Sequence, residues 1–195
     1  MSTTRGRRPG APATRAEVLG AARTLFAERG FGRTTIRAVA AAAGVDPALV
    51  HHYFGSKDDL FMAALALPVD PRELLAPVVA AGPDGAGERL VRTMLSVWDD
   101  PQAQPALLAV ARTVIGEDGG RLVGDGFIPV VIGPVIAALA VDLPEVRVPL
   151  VASQLVGLIV GRYVIALPGL ADMPADDLAA RVGPTVQRYL TGDLA

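Results

Sequence analysis

Residues 34–57 read TTIRAVAAAAGVDPALVHHYFGSK. The stretch divides into a short helix, a turn, and a second helix with its own start signal. Thr34 or Thr35 can cap the first helix, and Ile36, Val39, Ala40 and Ala43 then recur on one face at the helical period. Gly44 stands where a tight turn needs a backbone of positive φ, and Val45 follows as a buried spacer. Asp46 can cap the next helix, with Pro47 at its first position, where a missing N–H costs nothing. That helix is expected over 47–54, stopping at Gly55, after which Ser56 and Asp59 have the spacing of a capping box. Val50 and Phe54, four apart, face inward and leave Pro47, Ala48, His51 and His52 outside. No acidic side chain follows Asp46 until Asp58, so nothing on this outer face repels phosphate. Two short helices joined in this way form a helix-turn-helix, whose second helix lies in the major groove.

The run GVDPALVHHYFGSKDDLF, with the helix and turn before it, resembles the signature of TetR-type one-component repressors. The likeness covers about the first third of the chain, residues 14–65. Its specific part is the order Gly-Val, short helix, Tyr53-Phe54, Ser56-Lys57, then an apolar helix. The resemblance implies an all-α dimer: a three-helix DNA-binding domain followed by a helical domain that binds a small molecule and dimerises. It also implies DNA contacts for Thr34, Thr35, Arg37, Val45, Pro47, Ala48, His51, His52, Tyr53 and Lys57. Arg37 suits guanine O6 and N7, and Pro47 and Ala48 suit a thymine methyl. Lys57 and the Tyr53 hydroxyl suit phosphates at a helix N-terminus. Two positions depart from the family pattern. Leu49 replaces the usual Thr or Ser, and His51 replaces a common Tyr. The two histidines are the chain's only ones and point about 100° apart on a helix, which disfavours a shared metal site.

Charge supports the same division. The whole chain carries −2, but residues 1–57 hold nine basic against three acidic side chains, and the remainder holds nine against seventeen. A basic head on an acidic body is the asymmetry of a protein that meets DNA with one domain only. The absence of cysteine excludes disulfides, thiol nucleophiles and cysteine-based zinc sites. No secretory signal is visible behind the basic, polar N-terminus, so the default location is cytoplasmic. No cofactor is expected.

Three regions are expected: a flexible basic arm over 1–13, a DNA-binding domain over 14–67, and a ligand-binding and dimerisation domain over 68–195. Thr14 and Glu17 suit a capping box for the first helix, which Gly30 should end. Phe26, Phe31 and Phe54 should centre the small core. A connecting helix over 57–67 should close at Pro68 and Pro71. Further helices are expected over 72–81, 87–98, 105–115 and 121–139, the last kinked at Gly133-Pro134 after a loop at 116–120. Residues 148–167, VPLVASQLVGLIVGRYVIAL, approach the length of a membrane span, yet Ser153, Gln154 and Arg162 argue for burial in protein instead. With the helix over 175–191 they form the expected homodimer interface, where Gly157 and Gly161 would permit close approach.

The effector pocket is expected to be mostly apolar, with Trp98, Arg112, Phe127, Gln154 and Tyr163 as guesses at its lining; ordinary core or interface packing is the stronger account of each. The function expected is that of a repressor, released from a palindromic operator by a small apolar effector. A nonspecific architectural DNA-binder is the alternative. An enzyme or an adaptor follows behind, because histidines confined to one motif and the lack of a phosphate loop leave little for catalysis.

Overall fold

The structure, a computed structural model, describes residues 11–115, 123–139 and 142–194. It is helical, with no strand among the described residues, and divides into two compact units between Ala66 and Leu67.

The first unit contains α1 (Ala11–Arg33), α2 (Ile36–Ala42), α3 (Pro47–Phe54) and α4 (Lys57–Leu65). Each short helix begins on a side-chain cap. Thr35 accepts from Ala38 N at 3.1 Å, Asp46 from Ala48 N at 2.7 Å, and Ser56 from Asp59 N at 3.0 Å. Gly44 (φ 65) and Gly55 (φ 76) supply the left-handed turns between them. The core gathers Val18, Ala22 and Phe26 of α1 with Val39, Val50, Leu60 and Phe61. Its aromatic centre is Phe26, Phe31 and Phe61, with ring centroids 5.1–5.9 Å apart. Phe61 takes the place expected for Phe54, which instead lies at the margin beneath the Arg15 guanidinium, 4.9 Å away.

Other boundaries differ as well. The first helix starts at Ala11 rather than Thr14, so residues 11–13 of the expected arm are helical. Pro12 fits a first turn, where its missing N–H is no loss, and the alanines around it favour helix. The rest of the arm lies outside the described residues. Gly30 does break the helix (φ 74, ψ 170), but a further turn follows it to Arg33. The connecting helix stops at Leu65, with Ala66 left-handed (φ 51), earlier than expected. Leu67 precedes Pro68, and a pre-proline residue disfavours α geometry.

The second unit contains α5 (Pro71–Ala80), α6 (Ala86–Trp98), α7 (Gln104–Ile115), a π-helical run (Val123–Ile132) leading into α8 (Gly133–Ala138), α9 (Pro144–Ile159) with a π turn (Val160–Val164), and α10 (Ala175–Thr191). The expected loop at 116–120 and the start of the 121–139 helix lie outside the described residues. The change of helix type falls at Gly133, where the kink was expected, and Pro129 lies within the π run. The apolar helix expected over 148–167 spans 144–164, because Pro144 can serve as a helix's first residue.

One crossing dominates this unit. Helices α6 and α10 meet backbone to backbone: a Cβ on Gly87 would lie 2.4 Å from Gln187 N and Gly183 O, and one on Gly183 would lie 2.7 Å from Glu88 Cα. Gln187 crosses the seam, accepting from Gly87 N at 2.8 Å and donating to Pro83 O at 3.0 Å. A second tie is Arg147, only 4% exposed. Its guanidinium donates to Tyr189 O (3.0 Å) and Gly192 O (2.9 Å) at the C-terminal end of α10, and to the Asp142 carboxylate (2.8 Å). The carbonyls that a helix end leaves unpaired are thereby satisfied by a cation on the favourable side of the helix dipole.

Pro144–Val164 is long and apolar enough to cross a membrane by length and composition alone. It carries Arg147 and Arg162, however, and Arg162 donates to Leu170 O and Met173 O, both at 2.8 Å. These two arginines bind the run to neighbouring segments of its own unit.

Candidate nucleic-acid interface

Helix α3 is presented as its sequence requires. Val50 and Phe54 are buried, and Ala48, His51 and His52 are exposed on the opposite side. Pro47, Leu49 and Tyr53 are half-buried, as is Val45 in the turn. The Asp46 carboxylate is held against the backbone of α3, where it caps the helix. Arg37 on α2 is exposed and has no hydrogen bond or ion pair among the described residues.

Two of the expected contacts change character. Thr34 is 1% exposed, and its hydroxyl lies 3.0 Å from Leu25 O and 2.8 Å from Gly30 O. It is therefore withdrawn from the DNA-contacting set: its hydroxyl bolts the broken end of α1 in place, and the cap belongs to exposed Thr35. Lys57 is half-buried. Its ammonium sits 4.1 Å from the Phe31 ring centroid and 3.4 Å from Gly32 O. Burial pushes its pKa below the usual lysine value, partly offset by Asp58. Lys57 thus braces the α1 extension by a cation–π contact as well as standing at the N-terminus of α4.

Of the five candidate effector residues, the structure joins two. Trp98 and Tyr163 stack with centroids 5.1 Å apart. The Tyr163 hydroxyl donates to Asp99 Oδ1 at 2.8 Å, and the Arg162 guanidinium reaches the same carboxylate at 3.3 Å. Burial, then the bond to Asp99, holds the Tyr163 hydroxyl above its ordinary pKa. These groups fasten the end of α6 to the π turn after α9. No hydrogen bond, ion pair or ring contact links Phe127, Gln154 or exposed Arg112 to that pair among the described residues. An open groove of about 800 Å³ lies elsewhere, lined by residues that include Pro83, Leu139, Leu143, Val146 and Leu194, with Arg147 at its wall. Sequence reading singled out neither Arg147 nor the Gly87–Gly183 seam. The only available signal was an arginine and two glycines inside helical periods.

Comparison with known proteins agrees with this geometry. Residues 18–64 match the family described as "Bacterial regulatory proteins, tetR family", and residues 84–190 match "Tetracyclin repressor-like, C-terminal domain". The chain is 36% identical over 102 residues to the HTH-type transcriptional regulator BetI of Brucella anthropi, a match covering 45% of this chain and 52% of that protein. It is 33% identical over 118 residues to the HTH-type transcriptional regulator HbdR of Aromatoleum sp., covering 57% and 50%. The chain thus spans about half the length of these curated relatives. The crystal structure of a TetR-family regulator from Streptomyces coelicolor A3 is similar over 95% of this chain and 99% of its own, at 40% identity and a TM-score of 0.51. With a family match across more than half its length and a helix-turn-helix of the expected build, the chain belongs to the TetR family of bacterial transcriptional regulators.

Proposed function

We propose that this protein is a ligand-responsive repressor that binds a palindromic operator in the cytoplasm as a homodimer. The observation that carries the reading is the bare outer face of α3, where Ala48, His51 and His52 stand exposed and the nearest carboxylate is tied into the helix cap. Arg37 and Thr35 extend that surface from α2, with Pro47, Val45, Tyr53 and Lys57 at its edges. Arg37 grips a base edge, and Tyr53 and Lys57 hold phosphates.

The second copy docks on α9 and α10, within 148–167 and 175–191. Support comes from the outward side of α9, where Val156 is 39% exposed and a Cβ on Gly157 would meet nothing within 4 Å. A two-fold pair presents its two α3 helices to half-sites about 34–36 Å apart. A small apolar effector held in the second unit lowers operator occupancy by binding more tightly to a dimer whose spacing no longer matches. The relatives are regulators, and no catalytic step enters this reading.

Selection of bound duplexes from a random library by the purified protein tests it. A palindrome whose half-site centres are one helical turn apart is the expected result. Equal retention of all sequences, with binding that fades only with salt, would leave a nonspecific architectural binder instead.

A further inference from the structure

One contact at the end of α3 has no role in the scaffold's core. Gly55 (φ 76) stops the helix, and its N–H donates to His51 O at 2.8 Å. In return, His51 Nδ1 lies 2.8 Å from Gly55 O. A peptide carbonyl can only accept, so Nδ1 carries the proton. In the neutral imidazole the other nitrogen, Nε2, is then a bare acceptor. The ring is held at one end by this bond, and His51 is exposed on the face that meets DNA. His52, by contrast, has no hydrogen bond among the described residues, only a tilted ring contact with Tyr53 at 5.7 Å. Its tautomer is not preset.

We infer that His51 is a specificity-determining residue that reads the operator as a hydrogen-bond acceptor through Nε2, and so selects adenine or cytosine on the strand it faces. The major-groove edges of those bases present an exocyclic amino donor, adenine N6 or cytosine N4. Guanine O6 and thymine O4 are acceptors, and a lone pair set against them is repelled. The tyrosine common at this position in the family carries a hydroxyl that donates or accepts, whereas an imidazole pinned at Nδ1 has one function left. This assignment rests on the operator reading above and deepens it.

Two measurements on the full chain test it separately. Long-range 1H–15N spectra of the free protein at about pH 8, where an ordinary imidazole is neutral, distinguish the tautomers, and His52→Gln assigns the rings. A His51 ring protonated at Nδ1 is expected; one protonated at Nε2 overturns the inference without touching the operator reading. Library selection with the wild type and His51→Ala is the second measurement. The wild type should favour one base pair by about tenfold at one symmetric position, and lose that preference when its adenine or cytosine is replaced by purine or 2-pyrimidinone, which lack the amino donor. His51→Ala should flatten that position alone, with its thermal midpoint unchanged. If the variant flattens no position or loses affinity equally on all sequences, or if purine or 2-pyrimidinone in place of that adenine or cytosine weakens the wild type no more than His51→Ala, His51 is not this acceptor. Failure of the wild type to enrich any palindrome would bring down the operator reading and this assignment with it, whatever the spectra give.

Discussion

Each of the two units is held together internally, and by a different kind of bond. In the DNA-binding unit, most structural decisions are made within a few residues: Thr35, Asp46 and Ser56 each cap a helix two or three positions on, and Gly44 and Gly55 turn the chain between them. In the second unit the decisive contacts join residues far apart in sequence. Gly87 meets Gln187, and Arg147 reaches Tyr189 and Gly192. The first unit, with its short helices, is defined by local rules, and the second by a few long-range ties. This contrast predicts unequal consequences for mutations.

The largest effect is expected at the glycine seam. Gly183→Val would drive branched carbon into the α6 backbone, where even a Cβ has only 2.7 Å to Glu88 Cα. Overpacking of this kind should cost about 3 kcal/mol or more, seen as a fall in the thermal midpoint of the full chain. Retention of the wild-type midpoint would mean that the crossing is looser than described. Arg147→Met should follow, at about 2–3 kcal/mol, because it leaves the Tyr189 and Gly192 carbonyls without their donor. Urea denaturation measures this, and Arg147→Lys should recover only part of the loss, since an ammonium cannot reproduce the fork.

Within the first unit the expected losses are smaller. Thr34→Val removes a buried hydroxyl from two carbonyls and should cost about 1–2 kcal/mol, whereas Thr34→Ser should cost less. A Thr34→Val protein of normal stability but weakened DNA binding would return Thr34 to the contact surface. Arg37→Ala comes last: stability should stay within about 0.5 kcal/mol, while specificity relaxes at one operator position. Equal losses on operator and random duplexes would refute the base contact and reassign Arg37 to phosphate.

The same contrast explains what could be read in advance. The boundaries of α3, its cap, its turn and its buried pair Val50 and Phe54 were legible because each depends on neighbours in the chain. Thr34 and Thr35 were not separable: they share one chemistry, and which of them points inward is decided by Leu25 and Gly30 after the chain folds back. Phe61 displaced Phe54 from the aromatic centre for a similar reason, since a helical period identifies an inward face without saying which ring meets which. Lys57 looked like a plain phosphate ligand because its partner, Phe31, lies 26 positions earlier. The effector residues were the least legible. Trp98 and Tyr163 meet, but their polar company, Asp99 and Arg162, serves to fasten them, and no local pattern announces such a clasp.

The Gly87–Gly183 seam has a mechanical corollary. Two rods whose backbones touch at a pair of glycines, and which are stitched by a glutamine across the join, cannot ratchet along one another. A shift of one residue, about 1.5 Å, would bring a side chain to where only hydrogen fits. Whatever stimulus reaches α6 must therefore turn α10 with it, as one stiff lever rather than two sliding parts.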